Sequence, residues 1–279
     1  MVKTLPAKQS LRLNQALDQW PDWIVSPPLR SRPELIECLS KGISNHSFLV
    51  QSKKRQFAVR LDGEHAHALK LDREQEWQAQ KIASQNMLAP QPVYCNQLEG
   101  IFVSEYIQQA SQKTLVEIEK ICRLLASIHR LPTQSYQLNL INKAEHYKNL
   151  AIDNKPIIKQ DIEEIWSLFL PVAKQAATLC TKTLFCHNDL LAANRLSKDN
   201  QLLAIDWEYA AMGDPFFDLA VIIEGDHLTD MQSKQLLEIY NGLNPLEEAE
   251  RRLALNCELY QYIDTLWHLA TDISTELPE

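Results

Sequence analysis

No two of the six cysteines, Cys38, Cys95, Cys122, Cys180, Cys186 and Cys257, stand in a C-x-x-C pair. That excludes zinc-finger and thioredoxin-like spacing, and scattered thiols of this kind are expected to be reduced and mostly packed. Long apolar runs are missing too. The opening MVKTLPAKQS lacks the apolar run expected of a secretory signal, and stretches such as LAVII fall far short of the roughly 20 residues a bilayer span requires. A cytoplasmic protein without stable membrane insertion is expected. Basic charge is also scarce: KKR at 53–55 is the densest block in a chain of net charge −8 and pI near 5.5. Without a basic patch there is no electrostatic footprint for nucleic acid, and an anionic membrane surface would repel the molecule. Internal repeats and low-complexity tracts are absent.

What is present is the composition of an ordinary soluble protein, 45% hydrophobic and 23% charged. Its 279 residues suffice for one large domain or two closely packed lobes. A short helix at SLRLNQALDQW precedes a proline-rich connector, PDWIVSPPLRSRP. Three β-like segments follow at 34–40, 46–52 and 56–62, read as an antiparallel meander. The spacing predicts a helix over 71–86, then two strands, QPVYCN and GIFVSEYI, around a turn ending at Gly100. Beyond SEYIQQASQ the period becomes helical. TLVEIEKICRLLASIHRLP is an amphipathic helix stopping at Pro132, DIEEIWSLFLPVAKQAATLC is helical with Pro171 kinking or dividing it, and the chain from SKQLLEIYNG onward is helical again. The expected organisation is an N-terminal helix and connector (1–33), a β-rich N-lobe (34–107) and a mostly helical C-lobe (108–279), with an oligomeric state that the sequence leaves open.

The polar residues concentrate in LFCHNDLLAANRLSKDNQLLAIDWEYAAMGDPFFDLA. RLSKDNQLLAI reads as a hairpin, and if it is centred on Asn200, then Asn194 and Asp206 face each other across it. An amide oxygen and a carboxylate converging there suit Mg²⁺, a hard cation held by few protein oxygens plus water and phosphates. Asp189, five residues before Asn194, is placed to take a proton from an attacking hydroxyl. The chemistry suggested is ATP plus an alcohol.

The pattern H-N-D-x-x-x-x-N followed by I-D resembles the core of the aminoglycoside phosphotransferase and choline kinase superfamily. That resemblance implies an α+β, protein-kinase-like fold. It makes Asp189 the catalytic base, Asn194 and Asp206 the Mg²⁺ ligands, and His187 a brace for the catalytic loop. KGISNHSF is similar to the family's phosphate loop, with Gly42, Ser44 and Asn45 as nucleotide-binding candidates. Arg60, in FAVRL, takes the place of the strand cation for the α and β phosphates. Glu76 on the next helix would hold it, with Glu74 as second choice. FVSEYI would meet adenine through backbone groups around Glu105, Tyr106 and Ile107, and Asp218 in GDPFFDLA would support the catalytic loop or cap a helix. No HRD, DFG or APE is present, so protein-kinase activity is not expected.

Arg60, GISN and IDWEYA are similar to thiamine, choline and ethanolamine kinases. The acceptor expected from that resemblance is a small cationic alcohol. Alternatives are an aminoglycoside and a nucleotide-binding regulatory protein without catalysis. A cation needs aromatic faces and negative charge. Trp207, Tyr209, Tyr260, Tyr262 and Trp267 supply the first, Glu208 and Asp264 the second, with Glu208, Tyr260 and Trp267 the substrate candidates.

Overall fold

The computed structural model describes residues 5–41, 45–63, 66–108 and 117–271. The chain divides into two compact units, 1–109 and 110–279.

Unit 1 is built on an antiparallel sheet. β1 (Glu34–Lys41), β2 (Asn45–Ser52) and β3 (Arg55–Asp62) form the meander, and β5 (Ile101–Glu105) then pairs with β3 while β4 (Pro92–Asn96) lies outermost, giving the order β1-β2-β3-β5-β4. Alternation along β3 sends Phe57, Val59 and Leu61 to one face and Arg60 to the other. The apolar face receives α1 (Ala7–Asp18), whose Leu13, Ala16 and Leu17 join Trp23, Phe48, Val50 and Val103 in one core. Each of the leucine, valine and phenylalanine side chains contributes about 1.5–3 kcal/mol by leaving water. Residues before the first strand therefore belong to the fold of this unit. The other face receives α2 (Arg73–Gln85), capped by Asp72, whose side chain accepts the Gln75 N–H at 3.0 Å.

Gly100 closes the β4–β5 turn at φ +60°, where a Cβ would stand 2.7 Å from the Asp62 side chain. Only glycine fits that close approach.

Unit 2 contains six helices among the described residues: α3 (Ile118–Ile128), α4 (Leu140–Asn154), α5 (Lys159–Leu179), α6 (Pro215–Gly225), α7 (Asp230–Leu243) and α8 (Ala249–Thr271). Two small antiparallel pairs lie between α5 and α6: β6 (Leu184–Cys186) with β9 (Ala211–Gly213), and β7 (Arg195–Lys198) with β8 (Gln201–Ala204). Pro171 does not divide α5, which continues on both sides of it with Ile162, Phe169, Ala173 and Ala176 buried. Buried side chains on both flanks hold the helix across the hydrogen bond that proline cannot donate. α6 is buried nearly throughout and starts on Asp214, which accepts the Phe216 N–H at 3.0 Å, with Pro215 in the first turn. The Asp214 carboxylate also binds the buried Arg252 of α8 at 2.7 Å, tying the two helices together. Among the described residues no helix is long and apolar enough to cross a membrane.

Candidate active site

β6 delivers the chain into the loop that begins at His187. Three anchors fix it. Asp218, fully buried in the first turn of α6, accepts the backbone N–H groups of His187 at 2.9 Å and Asn188 at 2.5 Å, and His129 Nε2 meets the same carboxylate at 2.9 Å. The helix-capping role falls to Asp214 instead. His187 Nε2 donates to the Ile205 carbonyl at 3.0 Å, and its ring packs on Trp207 with centroids 4.6 Å apart. The Asn188 amide donates to the Tyr209 carbonyl at 2.9 Å. These bonds hold two non-glycine residues in the left-handed region, Asn188 at φ +63° and Asp206 at φ +65°. Each costs about 1 kcal/mol, a strain that the surrounding bonds must over-determine.

The hairpin register differs from the expected one. Lys198 pairs with Gln201 and Arg195 with Ala204, so the turn is the two residues Asp199 and Asn200, with Asp199 at φ +54°. A two-residue turn sets the register half a residue away from one centred on Asn200. Asn194 consequently lies opposite Ile205, whose N–H donates to the Asn194 carbonyl at 3.0 Å, and Asp206 follows one residue later.

Asn194 instead meets Asp189. Its amide nitrogen donates to Asp189 Oδ2 at 2.9 Å and to the Asp189 carbonyl at 2.8 Å. Both contacts use nitrogen, so the oxygen a metal would need is not spent on Asp189. Burial pushes the Asp189 carboxyl well above the usual carboxylate range, and the charges of Asp206, Glu208 and Asp218 push the same way against the Asn194 hydrogen bond. Burial and neighbouring carboxylate charge thus both favour the protonated form of Asp189.

In unit 1, Gly42 and Ser44 lie outside the described residues. Asn45, at the start of β2, is buried and its amide oxygen accepts from Arg73 at 3.1 Å. Arg60 reaches Glu76 at 2.6 Å and lies over the Phe102 ring at 5.0 Å. Glu76 is 1% exposed and also takes Arg73 at 2.7 Å, while Arg73 grips Asp62 at 2.6 Å. Burial alone would raise the Glu76 carboxyl, but Arg60 and Arg73 outweigh it and hold it below its ordinary value. Glu74 is exposed and occupied by the amides of Gln78 and Gln97. Arg73 was not among the expected site residues. In the hinge strand, the Glu105 N–H goes to the Gln91 carbonyl at 2.9 Å and the Tyr106 N–H to the Gln56 carbonyl at 3.1 Å. Those two donors are engaged by the sheet. Glu105 is exposed and Ile107 half-buried.

Of the substrate candidates, Glu208 is buried and its charge acts on Asp189. Tyr260 packs on Phe217 with centroids 6.3 Å apart, and burial first, then Asp264 and Asp189, raise its hydroxyl. Trp267 lies two turns further along α8 against His268, at 4.9 Å, where the Ala270 carbonyl accepts from Asn154 of α4. The Glu208 charge also acts on two residues absent from the expected set. Lys143 and Tyr147 are one turn apart on α4, and the Lys143 ammonium lies 5.2 Å from the Tyr147 ring centroid and 4.4 Å from that of Tyr209. The two phenols are 3.4 Å apart, and Asp189 and Glu208 both raise their hydroxyls in addition to burial.

The model of the phosphotransferase enzyme family matches residues 36–255. Protein LicA of Haemophilus influenzae is 24% identical over 247 residues, 84% of this chain and 72% of that protein. The crystal structure of choline kinase LicA from Streptococcus pneumoniae shares the fold with a TM-score of 0.76 at 20% identity, covering 98% of this chain and 94% of the other. A crystal structure of LicA in complex with AMP has a TM-score of 0.73 at 23% identity, with 88% of each chain covered.

Proposed function

This chain belongs to the phosphotransferase enzyme family and is a small-molecule kinase, and we propose that it transfers the γ-phosphoryl group of ATP, with Mg²⁺, to the hydroxyl of a small cationic alcohol of the choline, ethanolamine or thiamine type. The observation that carries this reading is the surroundings of Asp189: a carboxyl raised well above its usual range, an amide donor on it, the charges of Asp206 and Glu208 acting on it, and two tyrosines within its electrostatic reach. A base of raised affinity for protons suits an acceptor hydroxyl, and aromatic faces with a carboxylate suit a cation. The relative described as a choline kinase and the one bound to AMP support the same acceptor and donor.

In this reading the acceptor oxygen attacks the γ phosphorus, the bond to the β–γ bridging oxygen breaks, ADP leaves and the hydroxyl proton passes to Asp189. Oxygens of Asn194 and Asp206 are a donor set that fits Mg²⁺, and a divalent cation would offset the carboxylate charge that acts on Asp189. Bound there, Mg²⁺ would neutralise phosphate charge. Arg60, fixed by Glu76, would take the α and β phosphates. His187 and Asp218 keep the loop in place. Gly42, Ser44, Asn45, Glu105 and Ile107 are the nucleotide contacts of this proposal.

The test is Mg²⁺-dependent ADP release against choline, ethanolamine, thiamine and kanamycin. Stimulation by one of the first three supports the reading. Stimulation by kanamycin alone would replace it with antibiotic phosphorylation.

A further inference from the structure

The cage that a cationic acceptor would use already contains a cation. Lys143 leaves α4 one turn before Tyr147, so helix geometry lays its stem along that ring. Its ammonium reaches the Tyr209 face at 4.4 Å, the shorter of its two ring distances, and the Glu208 carboxylate acts on it favourably. Tyr147 is buried and Tyr209 half-buried, so the rings are not surface decoration. Burial is the dominant influence on the amine and pulls it down to about 8, with Glu208 opposing. The ammonium is thus partly removed from water and retained by two ring faces, with the Glu208 charge favouring it, the combination that recognises an alkylammonium ligand.

We propose that Lys143 is an internal occupant of a cation site formed by the Tyr147 and Tyr209 rings, and that a cationic acceptor binds by displacing its ammonium. The inference rests on the acceptor being a cation, as proposed above. Two like charges cannot share one cage without mutual repulsion, so the lysine sets a threshold. A ligand must offer enough cation–π and ionic contact to replace it. The long stem permits this, because its flexible carbons allow the head to move to water while α4 stays in place. Lys143 is in these terms a specificity-determining residue, and its removal should open the site to weaker cations.

The experiment compares wild type with Lys143→Met, which keeps the stem and loses the charge, and Lys143→Arg, which keeps a charge. Tetramethylammonium is the calorimetric probe, because it has the cation and no hydroxyl. The Kd for tetramethylammonium should fall by about tenfold or more in Lys143→Met and stay near wild type in Lys143→Arg. Melting curves establish that each variant is folded, and Lys143→Gln is the second charge-free variant if Lys143→Met is not. An unchanged or raised Kd in a folded charge-free variant overturns the proposal. The acceptor panel separates this from failure of the functional reading. Tighter tetramethylammonium binding with no phosphorylation of any cationic alcohol keeps the internal cation and removes the acceptor assignment. Choline phosphorylation with one and the same KM in wild type and Lys143→Met keeps the acceptor and removes the role given to Lys143.

Discussion

The two units handle buried charge in opposite ways. In unit 1, Arg60 and Arg73 face Glu76 and Asp62, and the Asn45 amide accepts from Arg73. Each carboxylate there meets a guanidinium, and the glutamate is held ionised. In unit 2, Asp189 stands among Asp206, Glu208 and Asp218, and its carboxyl is driven the other way. The first arrangement positions an arginine; the second favours the protonated form of a carboxyl. Lys143 brings a positive charge on which Glu208 acts favourably.

Substitutions can break this contrast on either side. The largest effect is expected from Asp206→Asn. Removal of the carboxylate proposed to hold Mg²⁺ should lower turnover by about a thousandfold or more, measured as acceptor-dependent ADP release over a range of Mg²⁺ concentrations. Next is Glu76→Gln, which removes a buried carboxylate from Arg60 and from the buried Arg73. Breaking a buried pair from one side costs about 3–5 kcal/mol, so the unfolding midpoint of unit 1 should drop by more than about 10 °C in a thermal melt. Asp218→Asn weakens the acceptor for two loop N–H groups and should reduce kcat by about 10- to 100-fold while the KM for ATP moves less, read from initial rates.

The smallest effect sharpens the comparison by its sign. Asp189 has a raised folded-state pKa, so its contribution to stability is fully present below its unfolded value near 3.9 and is lost as pH rises through the raised one. In the absence of Mg²⁺ and nucleotide, Asp189→Asn should therefore melt a few degrees above wild type at neutral pH. The gap should close below about pH 4. A variant that melts lower than wild type at neutral pH would show that the carboxylate is not electrostatically frustrated.

Much of the fold could be read from local pattern. Alternation in QFAVRLD and the helical period of EKICRLLASI each have one dominant face, and both emerge as the elements expected of them. α4 went unread because LINKAEHYKNLAIDN interleaves its few buried positions, Ala144, Tyr147 and Ala151, with charged and amide side chains. Lys143 and Tyr147 were missed with it. Arg73 was hidden for a related reason: in LDREQE it looks like one more charge on an exposed turn, and only the pairing of β3 with β5 and the packing of α2 bury it. The half-residue error in the hairpin came from centring the turn on Asn200, when the left-handed residue that makes the turn is Asp199. What the sequence lacked in each case was the partner across space, which no spacing rule supplies.

The most direct test of the account is Asp189→Ala beside wild type with saturating ATP, Mg²⁺ and choline, following phosphorylated acceptor over time while measuring nucleotide binding in the same preparations. The account predicts a loss of turnover of about 10²–10⁴-fold with nucleotide affinity nearly unchanged. Equal turnover in the two proteins would contradict it.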